Sequence, residues 1–228
     1  MQNADRRMLA EGLSVVRDGI KLYLIAIIVV VVGVVAAIIA VIGAVGFASI
    51  LEDPTSSGEY IVEYAGYTLI TFLILIIVVM VVLGFMAISR VKRGMEVLAS
   101  VYRDVEVGLL GAKMIYYGII LTLVGAVLVI VLVGIVVMVV GLLLLILGRL
   151  LWGLGMLNLD KALTTDLKTP ALLYIAAVVL SLVPYLSIIG AVLELAALYM
   201  MYTNLGTELD NMRIGGHLPP GTWSRHHP

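Results

Sequence analysis

Long apolar runs that carry almost no charge constrain this chain more than any other feature of its sequence. Hydrophobic residues make up 63% of the 228 residues. A soluble core needs far less apolar surface, whereas several membrane crossings need this much. Only helices and closed barrels can span lipid with every backbone group paired. Because the runs are continuous rather than alternating in polarity, they predict an all-α polytopic membrane helix bundle.

Dividing the runs into crossings of about 20 residues predicts six transmembrane helices. The expected spans are about 22–48, 68–89, 114–134, 138–157, 170–183 and 187–205. The third and fourth spans should form a hairpin that turns near Gly134–Gly141, where nothing is charged. Pro184 should separate the fifth span from the sixth, because proline removes a backbone donor. One long proline-kinked helix over 170–205 is the alternative.

Two amphipathic segments, 1–21 and 90–113, should lie on the cytoplasmic side of the bundle. Apolar residues recur in each at spacings of three and four, which is typical of one helix face. They are Leu9, Leu13, Val16 and Ile20 in the first, and Val91, Met95, Leu98, Tyr102, Val105 and Leu109 in the second. The two segments also resemble each other in sequence, which suggests a unit used twice; chance similarity is the alternative.

The distribution of charge predicts how the chain is oriented. The segment Glu52–Tyr67 carries only acids, and all 14 Lys and Arg lie outside it. Basic residues favour the cytoplasmic side, so we expect a multi-pass protein of the cell membrane with both termini cytoplasmic. Residues 206–228 should form a disordered cytoplasmic tail. The amphipathic segments should bind anionic membrane lipids through four basic residues: Arg6, Arg7, Lys92 and Arg93.

Small residues at regular spacing predict close helix packing, since small side chains let helices approach each other in lipid. One series is Ala36, Ala40, Ala44 and Ala48. Heptad-spaced glycines follow: Gly111, Gly118 and Gly125, then, after a break in phase that supports a turn, Gly134, Gly141, Gly148 and Gly155. These series fit packing within the chain or a face for homo-oligomer formation, and the sequence leaves both open.

Arg149 and Glu194 are the ionisable residues well inside the predicted spans. A charge near the centre of a bilayer costs about 2.5–3.5 kcal/mol on insertion scales, so each residue needs water, a partner or a path to the surface. We expect the two to form an ion pair between the fourth and sixth spans. In the alternative, Arg149 reaches the inner headgroups beside Trp152, which would then be an interface anchor.

Composition excludes several classes of function. The chain has no cysteine, which rules out thiol chemistry, and its net charge of −1 argues against nucleic-acid binding. His217, His226 and His227 lie in the tail without further ligands, so no metal site is expected, and no motif indicates a cofactor or catalytic residues. Glutamine occurs once, at Gln2. Few amides would suit a thermophile, but membrane helices are also poor in amides.

Three motifs carry a resemblance to a known family. They are Arg93-Gly94-Met95-Glu96-Val97-Leu98-Ala99, Gly108-Leu109-Leu110-Gly111-Ala112-Lys113, and Val183-Pro184-Tyr185-Leu186-Ser187-Ile188-Ile189-Gly190. The chain resembles an uncharacterised family of archaeal polytopic membrane proteins, defined as a domain of unknown function. That resemblance implies an archaeal membrane and no established activity. We therefore expect a non-catalytic structural or assembly component of a membrane complex or homo-oligomer. The alternative is a permease for a small solute or ion that uses Arg149 and Glu194.

Overall fold

The computed structural model describes residues 3–51, 58–131 and 133–215, and in those ranges it is helical without strands. The six α-helices are α1 (Asn3–Leu51), α2 (Gly58–Val101), α3 (Glu106–Val127), α4 (Val133–Asp160), α5 (Lys168–Ser181) and α6 (Ser187–Gly215). Short 3₁₀ turns at Arg103–Val105, Leu128–Val131 and Pro184–Leu186 precede α3, α4 and α6.

Five stretches are long and apolar enough to cross a membrane. They are Asp5–Gly43, Leu69–Val101, Arg103–Val127, Val133–Asp160 and Pro184–Arg213. The fifth predicted span, 170–183, corresponds to α5, whose 14 residues extend only about 21 Å, against a hydrocarbon core of about 30 Å. The helices are therefore compatible with a multi-pass membrane protein that has five or six crossings.

The chain divides into two compact units. One unit contains residues 1–21 together with 87–228, and the other contains residues 22–86. In the second unit α1 and α2 approach each other at Gly33, where an added Cβ atom would lie 3.0 Å from Ile76. Most described side chains of this unit are exposed; Ala26 and Ala37 are buried.

The two amphipathic segments are not separate helices. Residues 3–21 form the first turns of α1, and the second segment is divided at Tyr102, where the backbone is extended between α2 and α3. Their apolar faces pack against each other. An added Cβ at Gly12 would lie 2.8 Å from the Leu98 side chain, and one at Gly94 would lie 2.8 Å from the Val16 backbone nitrogen. The predicted apolar residues are thus buried within the protein, except for Tyr102 and Leu109, which are half-buried.

The turn between α3 and α4 lies at Leu128–Val131, so the expected turn at Gly134–Gly141 is wrong. The reason is that the heptad glycines pair across the hairpin. α3 and α4 run in opposite directions, so glycines seven residues apart on one helix lie opposite glycines seven residues apart on the other. The resulting pairs are Gly125–Gly134, Gly118–Gly141 and Gly111–Gly148. An added Cβ at these α3 positions would lie 2.7–2.9 Å from the carbonyl oxygen of the paired glycine. The glycines after the break in phase therefore belong to α4.

The last two helices are separated at Pro184, the expected position, but α6 is longer than predicted. It continues to Gly215, ten residues past the expected end at Leu205. The expectation of a disordered tail is wrong for residues 206–215, where Glu208 and Leu209 are buried. The tail histidines and the rest of the segment, 216–228, lie outside the described residues.

The alanine series does not form the internal packing face of α1. Ala36 is exposed and Ala40 is half-buried, whereas the neighbouring Ala37 is buried. The side chains of Ala44 and Ala48 lie outside the described residues. A spacing of four residues advances about 40° per step around a helix of 3.6 residues per turn, so such a series drifts away from a fixed neighbour.

Candidate functional site

The predicted pairing of Arg149 with Glu194 is present in the structure. The Nη2 atom of Arg149 on α4 forms an ion pair with Oε2 of Glu194 on α6. The exposed fractions of the two side chains are 26% and 12%. The pair is therefore largely enclosed, with one side open to the surroundings of the bundle.

Two aromatic residues, Tyr174 and Trp152, also belong to this cluster. Its Nε donates to the hydroxyl oxygen of Tyr174 on α5 over 3.4 Å, and its Cζ lies 6.0 Å from the centre of the Tyr174 ring. Trp152 packs edge-on against that ring, with centroids 4.9 Å apart. Only 4% of Trp152 is exposed. Trp152 therefore packs inside the protein, and the alternative in which it is an interface anchor beside Arg149 stays a prediction.

This cluster joins three helices through charge and aromatic packing. α4 supplies Arg149 and Trp152, α5 supplies Tyr174, and α6 supplies Glu194. Each charge of the pair compensates the other in its apolar surroundings. Removing either side chain would leave an uncompensated charge, which is unfavourable. The indole Nε1 of Trp152 is buried and has no hydrogen-bond partner among the described residues. The arrangement holds α4, α5 and α6 together through one ion pair, one hydrogen bond and one aromatic contact.

A second polar cluster, which the sequence analysis missed, connects the loop after α4 to α6. Oε2 of the buried Glu208 accepts hydrogen bonds from the backbone nitrogens of Thr164 and Thr165 and from the Thr164 hydroxyl, over 2.7–3.1 Å. Asp160 accepts from the backbone nitrogens of Leu167 and Lys168. These carboxylates pair the free backbone donors of the loop, which would otherwise be unsatisfied.

Asp166 stabilises the start of α5 in the same way, by accepting hydrogen bonds with its carboxylate. Its carboxylate accepts from the backbone nitrogen and the hydroxyl of Thr169, and these hydrogen bonds hold its pKa below the ordinary value. Its backbone oxygen accepts from the Asn204 side-chain amide on α6 over 2.6 Å. The local signal was present in the sequence: an aspartate shortly before Thr169-Pro170 is typical of a helix start.

The four residues expected to bind lipid headgroups differ in their surroundings. Arg6, Arg7 and Arg93 are exposed, whereas Lys92 is half-buried, with Nζ 4.7 Å from the centre of the Tyr116 ring. Lys92 thus already makes a cation–π contact within the protein. Tyr102 belongs to the same amphipathic segment as Lys92 and Arg93. Its pKa is raised above the ordinary value by burial and by the negative charge of Asp5.

Comparison with known proteins places the chain in a family. Residues 10–218 match a family model described as "Protein of unknown function (DUF973)". The chain belongs to this family. No curated protein and no solved structure matches it. The matched residues include both polar clusters and all of α2 to α6.

Proposed function

We propose that the chain is a non-catalytic component of a membrane assembly, a homo-oligomer first of all, in an archaeal cell membrane with both termini cytoplasmic. The observation that carries this proposal is a small-residue face of α1 formed by Ala36, Ala40 and Gly43. Ala36 and Gly43 are exposed, and an added Cβ at Gly43 would meet nothing within 4 Å. Small residues spaced in this way are the usual contact face of associating membrane helices.

The heptad-spaced glycines support this assignment, because their contacts are already made within the chain. The glycines of α3 and α4 contact each other within the hairpin, so they are not free for a second chain. The α1 face therefore remains for association between copies. Its flanks are large β-branched residues such as Ile39 and Ile42, which are 64% and 66% exposed.

Because the chain has no cysteine, single introduced cysteines test the face directly. We expect Ala36→Cys to form a disulfide-linked dimer when membranes are oxidised with copper phenanthroline. Ile38→Cys is the matched control, since Ile38 is also exposed, at 51%, but points about 160° away around the helix. Equal cross-linking at both positions, or none at Ala36→Cys, would contradict the proposed face.

A permease is the second candidate, and it is favoured by the partial exposure of Arg149, 26% of whose side chain is accessible. In this case the Arg149–Glu194 pair would contact a small solute or ion. The test is ion flux into liposomes with an entrapped pH-sensitive dye, comparing the native chain with Arg149→Met/Glu194→Met. Flux that the double substitution abolishes without lowering the melting temperature would favour transport, and equal flux would exclude it.

A further inference from the structure

Arg17 lies on the N-terminal part of α1 in a setting made by α6. Its Cζ is 4.6 Å from the centre of the Tyr202 ring. Gly206 follows one turn later on α6, and an added Cβ there would lie 2.7 Å from Nη2 of Arg17. The guanidinium is therefore held between an aromatic face and bare helix backbone, and any side chain at position 206 would displace it.

Among the residues that the structure describes, this cation has no anionic partner. Among the described residues no carboxylate forms an ion pair with Arg17, and its buried Nε has no hydrogen-bond partner. Withdrawing a guanidinium from water without an acceptor is unfavourable. An acceptor from outside the chain would remove that cost.

Further positive charge lies at the same level of the helices. Lys21 is one turn beyond Arg17 on the same face of α1 and is exposed. Gly19 approaches α2 closely, since an added Cβ would lie 2.9 Å from the Ala87 oxygen and 3.0 Å from the Val91 nitrogen. The exposed Arg90 next to Val91 is therefore level with Lys21.

The nearby acids do not neutralise this group of cations. Asp18 follows Arg17 directly in the chain, which places it about 100° around the helix. Asp210 lies one turn beyond Gly206 on α6, and neither carboxylate forms an ion pair with Arg17. Arg17 is thus left without a carboxylate partner among the described residues, while the exposed Lys21 and Arg90 add positive charge nearby.

We propose that Arg17, assisted by Lys21, binds the phosphate group of an anionic lipid. The planar guanidinium presents parallel N–H donors that match two phosphate oxygens. Lys21 is the last charged residue before the apolar run that begins at Leu22, which is the level at which lipid phosphates meet a membrane helix. Soluble phosphate has the same chemistry, so the test must separate the two sources.

The test is thermal unfolding of the full chain in a neutral detergent with one of three additives: short-chain phosphatidylglycerol, short-chain phosphatidylcholine or inorganic phosphate. We expect phosphatidylglycerol at ten times its Kd to raise the melting temperature by about 3–6 °C. Phosphatidylcholine and inorganic phosphate should raise the melting temperature by less than about 1 °C, which is the error of the measurement. A rise with inorganic phosphate as large as with phosphatidylglycerol would overturn the lipid assignment.

Substitutions then separate binding from a structural role of Arg17. We expect Arg17→Gln to abolish the lipid-induced rise, and Arg17→Lys, which keeps the charge without the fork, to reduce it. Arg103→Gln, which removes an exposed cation in the 3₁₀ turn before α3, is the matched control and should keep the full rise. The exposed Lys21→Gln should reduce the rise without disturbing packing, which keeps the test valid if Arg17→Gln does not fold. An equal rise in the native, Arg17→Gln and Lys21→Gln chains would overturn the proposal.

Discussion

The pair α1–α2 and the hairpin α3–α4 are both strongly apolar, but they pack very differently. The most apolar 18-residue windows of α1 and α2 are buried over only 11% and 0% of their residues. Those of α3 and α4, which are less apolar, are buried over 22% and 17%. The more hydrophobic helices are thus the less buried ones, which is the opposite of what a soluble protein would show.

The difference follows from the side chains at the contacts. Hydropathy measures transfer out of water, and lipid satisfies an isoleucine as well as another helix does. Helices in lipid instead gain from close approach, which needs small residues. α3 and α4 meet through glycines at three successive heptad positions, whereas the contact of α1 with α2 in the second unit rests on Gly33. Glycine placement, rather than apolar content, therefore determines which helices pack.

The largest expected effect comes from the ion pair that ties the packed helices together. We expect Arg149→Met and Glu194→Met each to lower the free energy of unfolding by about 3–5 kcal/mol, because each leaves an unpaired charge in an apolar setting. The double substitution should lose less than either single one. Thermal unfolding measures this, and about 2–4 °C per kcal/mol is expected for a chain of this length.

The α1–α2 pair supplies the control for that experiment. Leu75 on α2 is 58% exposed, so Leu75→Met should leave the melting temperature unchanged. Additive losses in the Arg149 and Glu194 series would show that the two side chains are held independently. In that case the ion pair would not contribute to the packing of these helices, which would depend on their glycines alone.

A smaller effect is expected when a methyl group is added at a glycine in each region. Gly111→Ala should cost about 1–3 kcal/mol, because the added Cβ would lie 2.7 Å from the Gly148 carbonyl oxygen. Gly84→Ala is the matched control: nothing lies within 4 Å of its added Cβ. Alanine is also the better helix former, so this change should stabilise the chain by up to about 1 kcal/mol. Equal losses at both positions would contradict the role assigned to the glycines.

Much of this fold could be predicted from local patterns. Continuous apolar runs predicted the helical class, and most of the apolar residues that the spacing assigned to the two amphipathic segments are buried. The break in glycine phase between Gly125 and Gly134 marked the hairpin turn more accurately than the absence of charge did, because antiparallel heptads meet at the midpoint of the break. Pro184 marked the separation of α5 from α6.

Contacts between distant parts of the chain left no such pattern. Glu208 pairs with Thr164, and Arg17 packs on Tyr202, through the tertiary arrangement of helices and loops. A polar residue near a predicted tail looks like a solvated one until its partners are known. The Arg149–Glu194 pair was the exception, because an apolar surrounding makes an isolated charge so costly that a partner could be sought by depth alone.

The smallest expected effect lies outside both compared regions, at the start of α5. Hydrogen bonds from Thr169 lower the pKa of Asp166 below its ordinary value of 3.8, so the folded state favours the ionised carboxylate. The resulting stabilisation is complete above about pH 5 and is lost as the pH falls through the lowered pKa. Asp166→Asn should therefore melt below the native chain by a constant interval above about pH 5, and the interval should shrink below about pH 4.

Other carboxylates also protonate in that range, so the interval between the two chains is the quantity to measure rather than either melting temperature. Thr169→Ala is the second variant, because it removes the hydroxyl that donates to Asp166 but leaves the carboxylate in place. When both chains also carry Thr169→Ala, the melting-temperature interval between Asp166 and Asp166→Asn should be smaller at neutral pH. Its pH dependence should shift toward the ordinary pKa of aspartate. An interval that stays constant down to pH 3 would mean that the charge of Asp166 contributes nothing, and that the start of α5 is held by Asn204 and by its packing instead.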